Sequence, residues 1–270
     1  MCHWGNGKPA DGMLSPRLSE KLKNLFRARV KFSAADFENP PLPTEDIVVI
    51  GDIHGRLDLL QKILSEIADK APDHRLVFVG DYVDRGPSSK DVLVLLAESP
   101  NAPVFLMGNH EVMMLEFLTD PESKSVRWLR HGGLATLDSF GISLDETADL
   151  ASILDAHARL KAALSDGTED WLRSLAMYWQ SGNLVVTHAG PDPQLSIELQ
   201  DKESFLWGHQ RFLRDERKDG LWVAHGHWIV DQPTCSKGRI AVDIGAWRTG
   251  KLAAACLTQD GDVEFIKVHE

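Results

Sequence analysis

Three cysteines in 270 residues, Cys2, Cys235 and Cys256, form no CxxC pair and are too widely spaced to suggest a disulfide framework. They read as free thiols in a reducing compartment, with the cytoplasm as the expected location. Long apolar runs are also missing. Nothing approaches the ~20 residues that span a bilayer, and Met1 to Ala10 lacks the apolar stretch of a secretory signal, so membrane insertion is not expected. Positive charge is in deficit, with 29 Lys+Arg against 40 Asp+Glu and a formal charge of −11. An acidic surface repels phosphate backbones and argues against nucleic-acid binding through a basic face, leaving only a local cleft for anions. Internal repeats and low-complexity tracts are absent. The 43% hydrophobic content suffices for a proper core, so one α/β domain with an insertion is expected.

Residues 1–45 stand apart from the rest. They hold seven Lys/Arg and five Asp/Glu, net +2, which leaves −13 on the remaining 225 residues. Leu18, Leu22, Leu25 and Phe26 fall at helical spacing among Arg17, Lys21, Lys23, Arg27 and Arg29, predicting a short basic amphipathic helix docked on the protein body. Pro40-Pro41-Leu42-Pro43 then breaks the chain, and the catalytic domain is expected over residues 46–270.

From Asp46 the pattern is strand, tight turn, helix, repeated. Ile47 to Ile50 is a continuous apolar run, as a buried parallel strand requires, and it ends at Gly51-Asp52-Ile53-His54-Gly55. Leu76 to Val79 ends at Gly80-Asp81-Tyr82-Val83-Asp84-Arg85-Gly86, and Val104 to Met107 at Gly108-Asn109-His110-Glu111. Residues 119–182 look helical, with Trp128, Trp171 and Trp179 as packing anchors, and read as a cap inserted into the sheet domain. Strand character resumes before His188-Ala189-Gly190 and again before His225-Gly226-His227. Ile240 to Ile244, Leu252 to Cys256 and Val263 to Val268 read as terminal strands.

Polar, glycine-flanked tips thus collect at the carboxyl ends of successive strands, where open α/β sheets place their sites. Singly, each tip is ordinary: an Asp after a strand is commonly a turn residue or a cap. Together, Asp52, His54, Asp81, Asn109, His188 and His227 are a set of oxygen and imidazole donors that suits two divalent ions, with manganese, iron or zinc compatible and no cysteine placed to supply a thiolate.

The motifs G-D-I-H-G, G-D-Y-V-D-R-G, G-N-H-E, T-H-A-G and H-G-H over roughly residues 46–250 resemble the phosphoprotein phosphatases of the calcineurin-like metallophosphoesterase superfamily. The resemblance implies a sandwich of two mixed β-sheets flanked by helices, and two divalent ions, manganese foremost. Asp52 and His54 would bind the first ion, Asp81 would bridge both, and Asn109, His188 and His227 would complete the second. It implies phosphoester hydrolysis by direct attack of a hydroxide shared between the ions, with His110 as general acid, Asp84 orienting it and Arg85 gripping the phosphoryl oxygens. A bacterial-type protein phosphatase acting on phosphoserine or phosphothreonine, or on phosphotyrosine, is the implied activity.

His131-Gly132-Gly133 follows a helical stretch rather than a buried strand and is set aside as a ligand. In H-G-H the family pattern selects His227, leaving His225 to orient a ligand or to bind phosphate. One departure stands out: bacterial relatives commonly carry W-x-R, whereas this chain has Trp207-Gly208-His209. His209 is expected to contact substrate in place of that arginine and to alter substrate preference or pH dependence, with Arg211 or Arg214 as substitutes. Rival readings remain. A dinucleoside tetraphosphatase shares these motifs but often has Gln where this chain has His54. Metallonucleases and general phosphodiesterases usually end in G-H-x-H, which Gly226-His227-Trp228-Ile229 does not match. A non-catalytic scaffold would be expected to have lost a ligand or the catalytic histidine. Two divalent ions would add +4 beside Arg85, so an acidic chain could still attract compact phosphoesters while disfavouring long polyanions.

Overall fold

Short strands buried on both faces set the architecture of the computed structural model, which describes residues 39–99 and 103–270 and the backbone of residues 29–30. The amphipathic helix expected around Leu18 to Phe26 lies outside these described residues. The order begins with β1 (Arg29–Val30), β2 (Ile47–Ile50), α1 (Leu57–Lys70), β3 (Arg75–Phe78), α2 (Ser89–Ala97), β4 (Val104–Phe105) and α3 (Asn109–Thr119). A helical stretch follows: α4 (Pro121–Trp128), a π-helical turn at Leu129–Gly133, α5 (Leu134–Ser139), α6 (Leu150–Ala163) and α7 (Thr168–Ser174). Asp120 and Asp149 start α4 and α6 by accepting from Ser123 N and Ser152 N. The chain closes with β5 (Tyr178–Ser181), β6 (Leu184–Thr187), α8 (Lys202–Trp207), β7 (Trp222–His225), β8 (Thr234–Ser236), β9 (Arg239–Ala241), α9 (Ala246–Thr249), β10 (Lys251–Leu257) and β11 (Val263–His269).

The strands form two mixed sheets, ordered β1-β11-β10-β2-β3-β4 and β5-β6-β7-β9-β8. Alternation along β2 explains why its sequence is wholly apolar: Ile47 and Val49 join Leu184, Val186, Trp222 and Ala224 of the second sheet, while Val48 and Ile50 pack with Leu59, Leu60 and Ile63 of α1. The first sheet is therefore covered by helices on one face and by the second sheet on the other. Parallel registers bring strand ends level, with Ile50 opposite Phe78 and Thr187 opposite His225. Each sheet thus delivers the carboxyl ends of its central strands at one height.

The expectation for residues 119–182 needs one correction. Tyr178–Ser181 is an edge strand paired antiparallel with β6, not part of a helix. Of its residues only Ser181 is buried, so it lacks the apolar signal of a central strand. The three tryptophans divide accordingly: Trp128 is fully buried and Trp171 packs partly buried beside the helices, whereas Trp179 packs against the core between the sheets.

Candidate metal centre

The turns after β2, β3 and β7 depart from ordinary backbone geometry at residues that carry polar side chains. His54, Asp81, Asp84, Arg85 and His227 have φ of 47°, 53°, 71°, 69° and 64°, a left-handed region that costs a residue with a Cβ about 1–2 kcal/mol. Specific hydrogen bonds hold them there. Asp81 O accepts from Ile53 N and His54 N at 3.1 and 2.8 Å, and Tyr82 O accepts from Gly55 N at 2.8 Å, so the first two turns lock together.

Glu111 supplies the second clamp. Its Oε2 accepts from Asp81 N (2.8 Å) and Gly108 N (3.0 Å), and its Oε1 from Tyr82 N (2.7 Å) and Val83 N (3.3 Å). Burial and the Asp81 carboxylate push Glu111 up to about 8, yet four donors face its two oxygens and a proton on either one would have nowhere to point. The ionised form is the one this geometry accommodates. Nothing in the G-N-H-E motif points to this task for Glu111, which shapes the loop on which Asp81 and Asp84 sit.

Among the described residues two groups of donors converge, each within 4.8 Å: His54, Asp81 and His110, and Asp81, His188 and His227. Asp81 belongs to both, with Oδ2 3.4 Å from His54 Nε2 and Oδ1 3.4 Å from His188 Nε2. Asn109 Oδ1 joins the second group, 2.8 Å from His188 Nε2 and 3.1 Å from His227 Nδ1. Asp52 lies beneath, accepting from His227 N at 3.1 Å. A side chain at Gly226 would collide with Asp52 Oδ1, which is why a glycine separates the two histidines of H-G-H.

The imidazoles are set up as ligands. His54 Nδ1 bonds Val83 O at 2.9 Å and His188 Nδ1 bonds Val79 O at 3.0 Å; a carbonyl only accepts, so the proton lies on Nδ1 and the Nε2 lone pair faces the cluster. Burial pulls His54 and His227 down to about 3, keeping both neutral. A buried pocket in which burial raises Asp52 and Asp243, reinforced by the neighbouring carboxylates, together with neutral imidazole lone pairs, fits divalent cations.

Asp243 is a carboxylate that the apolar pattern of the sequence conceals. Ile240 to Ile244 reads as one strand, but β9 ends at Ala241, which makes Asp243 another strand-end carboxylate. Burial, with help from Asp81, raises it to about 6. An unfolded aspartate loses its proton near pH 4, so between about pH 4 and 6 the cation-free native state binds more protons than the unfolded one. Stability due to this group is therefore lost as pH rises through that window, by up to about 3 kcal/mol. Asp243→Asn is expected to raise the melting temperature of chelator-treated protein at pH 7 by several degrees and to flatten its decline with pH. Thermal unfolding from pH 4.5 to 7.5 checks this; an unchanged slope would count against the assignment.

His110 and Asp84 form a buried dyad, Nδ1 to Oδ2 at 2.7 Å, and His110 Nε2 is a buried polar atom with no hydrogen-bond partner among the described residues, 3.9 Å from Asp81 Oδ2. Burial alone would lower His110, but the carboxylates of Asp81 and Asp84 outweigh it and raise it. Arg85 Nη1 lies 3.2 Å from His54 Nε2, and its guanidinium stacks 5.0 Å from the Trp247 ring. The arrangement offers a proton donor and a guanidinium beside a cluster of cation ligands.

Two candidates are not brought into the cluster. The His225 ring packs edge-on against Phe212 (5.0 Å) and Trp228 (5.8 Å), and burial pulls it down to about 4. His209 Nε2 lies 3.6 Å from Asp192 Oδ2, and Arg211 is bonded to Gln194, while Trp207 faces His227 at 6.2 Å. His131 is exposed, its Nδ1 bonded to Arg127 O.

A profile of the calcineurin-like phosphoesterases matches residues 46–231. The chain belongs to that family. This phosphoesterase is 41% identical over 218 residues to the Serine/threonine-protein phosphatase 2 of Escherichia coli (strain K12), covering 77% of this chain and 90% of that protein. It is 30% identical over 215 residues to the Serine/threonine-protein phosphatase 1 of Salmonella typhimurium, covering 77% and 89%. A symmetrical bis(5'-nucleosyl)-tetraphosphatase of Coxiella burnetii is 34% identical over 160 residues, but the match spans 58% of this phosphoesterase and 45% of the tetraphosphatase. Among solved structures, a putative diadenosine tetraphosphatase superposes with a TM-score of 0.59 at 21% identity, covering 85% of this chain and 95% of that one. A protein serine/threonine phosphatase from Saccharomyces cerevisiae does so at 0.53 and 19%, covering 84% and 81%. At these identities the structures show the fold, the two-sheet sandwich expected from the motifs.

Proposed function

We propose that this phosphoesterase is a dinuclear metallophosphatase that removes phosphate from phosphoserine and phosphothreonine side chains of proteins. The observation that carries the reading is the sharing of Asp81 between two donor groups, with the unpartnered His110 Nε2 at their edge. Asp52, His54 and Asp81 would hold one ion; Asp81, Asn109, His188 and His227 would hold the other. The ions, manganese foremost and iron or zinc as alternatives, would supply an activated water and neutralise charge at phosphorus. Arg85 offers a planar fork to the phosphoryl oxygens. His110 Nε2 gives its proton to the departing oxygen while Asp84 accepts from Nδ1 and keeps the ring oriented and cationic. Attack by water leaves no covalent phosphoenzyme to resolve.

The preference for a protein substrate is supported by the extent of the likeness: the two bacterial protein phosphatases align over most of both chains, the tetraphosphatase over less than half of its own length. A dinucleotide tetraphosphate is the second reading, favoured by that same relative. No helix among the described residues is long and apolar enough to cross a membrane. A panel of phosphoserine, phosphothreonine and phosphotyrosine peptides, diadenosine tetraphosphate and bis-p-nitrophenyl phosphate, assayed with manganese, tests the proposal. Turnover of phosphoserine and phosphothreonine peptides at least about tenfold above the others is expected. Preference for the dinucleotide would replace the protein-phosphatase reading; no turnover with any divalent metal by folded protein would favour a scaffold.

A further inference from the structure

Asp84 holds His110 in place, and the structure shows what holds Asp84. Its carboxylate is fully buried on a residue of left-handed backbone. Trp128 Nε1 at the end of α4 lies 3.0 Å from both Oδ1 and Oδ2, and Thr136 Oγ1 in α5 donates to Oδ1 at 2.6 Å. Thr136 Oγ1 also accepts from Asp84 N at 2.9 Å, and Ser89 Oγ accepts from the same N–H at 3.0 Å. Among the described residues the carboxylate's other hydrogen-bond partner is His110 Nδ1.

We propose that Trp128 and Thr136 are positioning residues for proton donation: through Asp84 they fix the orientation of the His110 ring, so the helical stretch after α3 is part of the catalytic machinery and not only a cover over it. The proposal rests on the reading of His110 as the general acid. A buried carboxylate with the imidazole as its sole partner would leave three lone-pair positions unsatisfied and would be free to turn about its own axis. With an indole N–H shared across its two oxygens and a hydroxyl on one of them, the carboxylate has a single orientation. The position left for His110 Nδ1 is then defined to the length of one hydrogen bond. The oxygen of Thr136 serves twice, accepting from the Asp84 backbone and donating to its side chain, and so ties the strained backbone of Asp84 to the direction of its carboxylate.

The same segment reaches the phosphate-binding arginine. Gly132 O accepts from Arg85 N at 3.2 Å, and Gly132 has φ of 111°, with the Arg85 backbone lying where a side chain would project. Trp128 packs on Gly133 and lies tilted against Phe117 with ring centroids 4.6 Å apart, which would account for a buried tryptophan on packing grounds alone. Phenylalanine keeps an aromatic ring there but loses both the N–H and the volume of the second ring, so the change that separates the two roles is Thr136→Val, which removes the hydroxyl at nearly constant volume.

The test uses Trp128→Phe and Thr136→Val, with Thr136→Ser as the variant that keeps the hydroxyl. Phenyl phosphate has a poor leaving group that needs its proton, whereas p-nitrophenyl phosphate departs with little help. In manganese-loaded protein, kcat for phenyl phosphate is expected to fall at least about tenfold in the Phe and Val variants, kcat for p-nitrophenyl phosphate less than about threefold, and KM less than about twofold. Thr136→Ser is expected to restore the phenyl phosphate rate. Independently of turnover, nuclear magnetic resonance of 15N-histidine, zinc-loaded protein should show a slowly exchanging His110 Nδ1–H resonance that broadens or exchanges rapidly in both variants. Equal losses on both substrates, or an Nδ1–H resonance unchanged by the substitutions, would overturn the proposal. Loss of that resonance in the variants of a protein that hydrolyses no phosphoester would leave the positioning role standing and remove the phosphatase reading. If Trp128→Phe fails to fold, Thr136→Val decides by the same criteria.

Discussion

Asp81→Asn is expected to lower kcat on p-nitrophenyl phosphate by at least about 10³-fold, roughly 4 kcal/mol of barrier. The carboxylate presents one oxygen to His54 and the other to His188, each at 3.4 Å. An amide keeps one oxygen and turns the other position into an N–H₂ group, which cannot ligate a cation and would point hydrogens at it. On the proposed dinuclear reading one ion would be lost or displaced, and with it the pairing that would activate water and shield the phosphoryl charge. Metal content measured beside steady-state kinetics checks the cause: a drop from about two ions per chain to one or fewer is expected together with the loss of rate. Full metal occupancy with activity within tenfold of wild type would sink the shared-ligand assignment.

His110→Asn is expected to cost about 10²–10⁴-fold in kcat, the range for removal of a positioned general acid. The geometry leaves two uses open for this residue, because it stands with His54 and Asp81 as a possible ligand as well as in a dyad with Asp84. The dyad favours the acid: Nδ1 is committed to a carboxylate at 2.7 Å, and Nε2 is without a partner 3.9 Å from Asp81 Oδ2. Asparagine keeps a donor for Asp84 but has no proton to give. An acid role predicts unchanged metal content and a loss that grows as the leaving group worsens, greater for phenyl than for p-nitrophenyl phosphate. A ligand role predicts the reverse: lost metal, and equal losses for both esters.

Much of this was legible in the chain because strand ends carry their own signature. Ile47 to Ile50 and Leu76 to Val79 are continuous apolar runs, buried on both faces, and the polar residue that follows each can only lie at a sheet's end. Asp243 was hidden by one residue pair: Val242 and Ile244 are apolar, so the sequence reads straight through a position where the backbone has already left the sheet. Glu111 was hidden for a different reason. Its task is to collect four backbone N–H groups, three of them from the loop at residues 81–83, and a backbone donor leaves no trace in a sequence. Trp128 was legible as a packing residue from its type, whereas its bond to Asp84 depends on a helix 44 residues later folding back over the turn. The edge strand Tyr178–Ser181 gave no strand signal because only one of its four residues is buried.

The registers that bring the two sheets' strand ends level bear on how the molecule comes into being. The donor groups draw on residues from His54 to His227 and on both sheets, joined by parallel pairings that close long loops. Such non-local pairings form slowly, since the entropy of loop closure is lost before any contact repays it. No stretch short enough to organise early contains either donor group. Cation binding therefore reports completion of the native state rather than seeding it, and ions present during synthesis would hold the finished molecule without hastening its assembly.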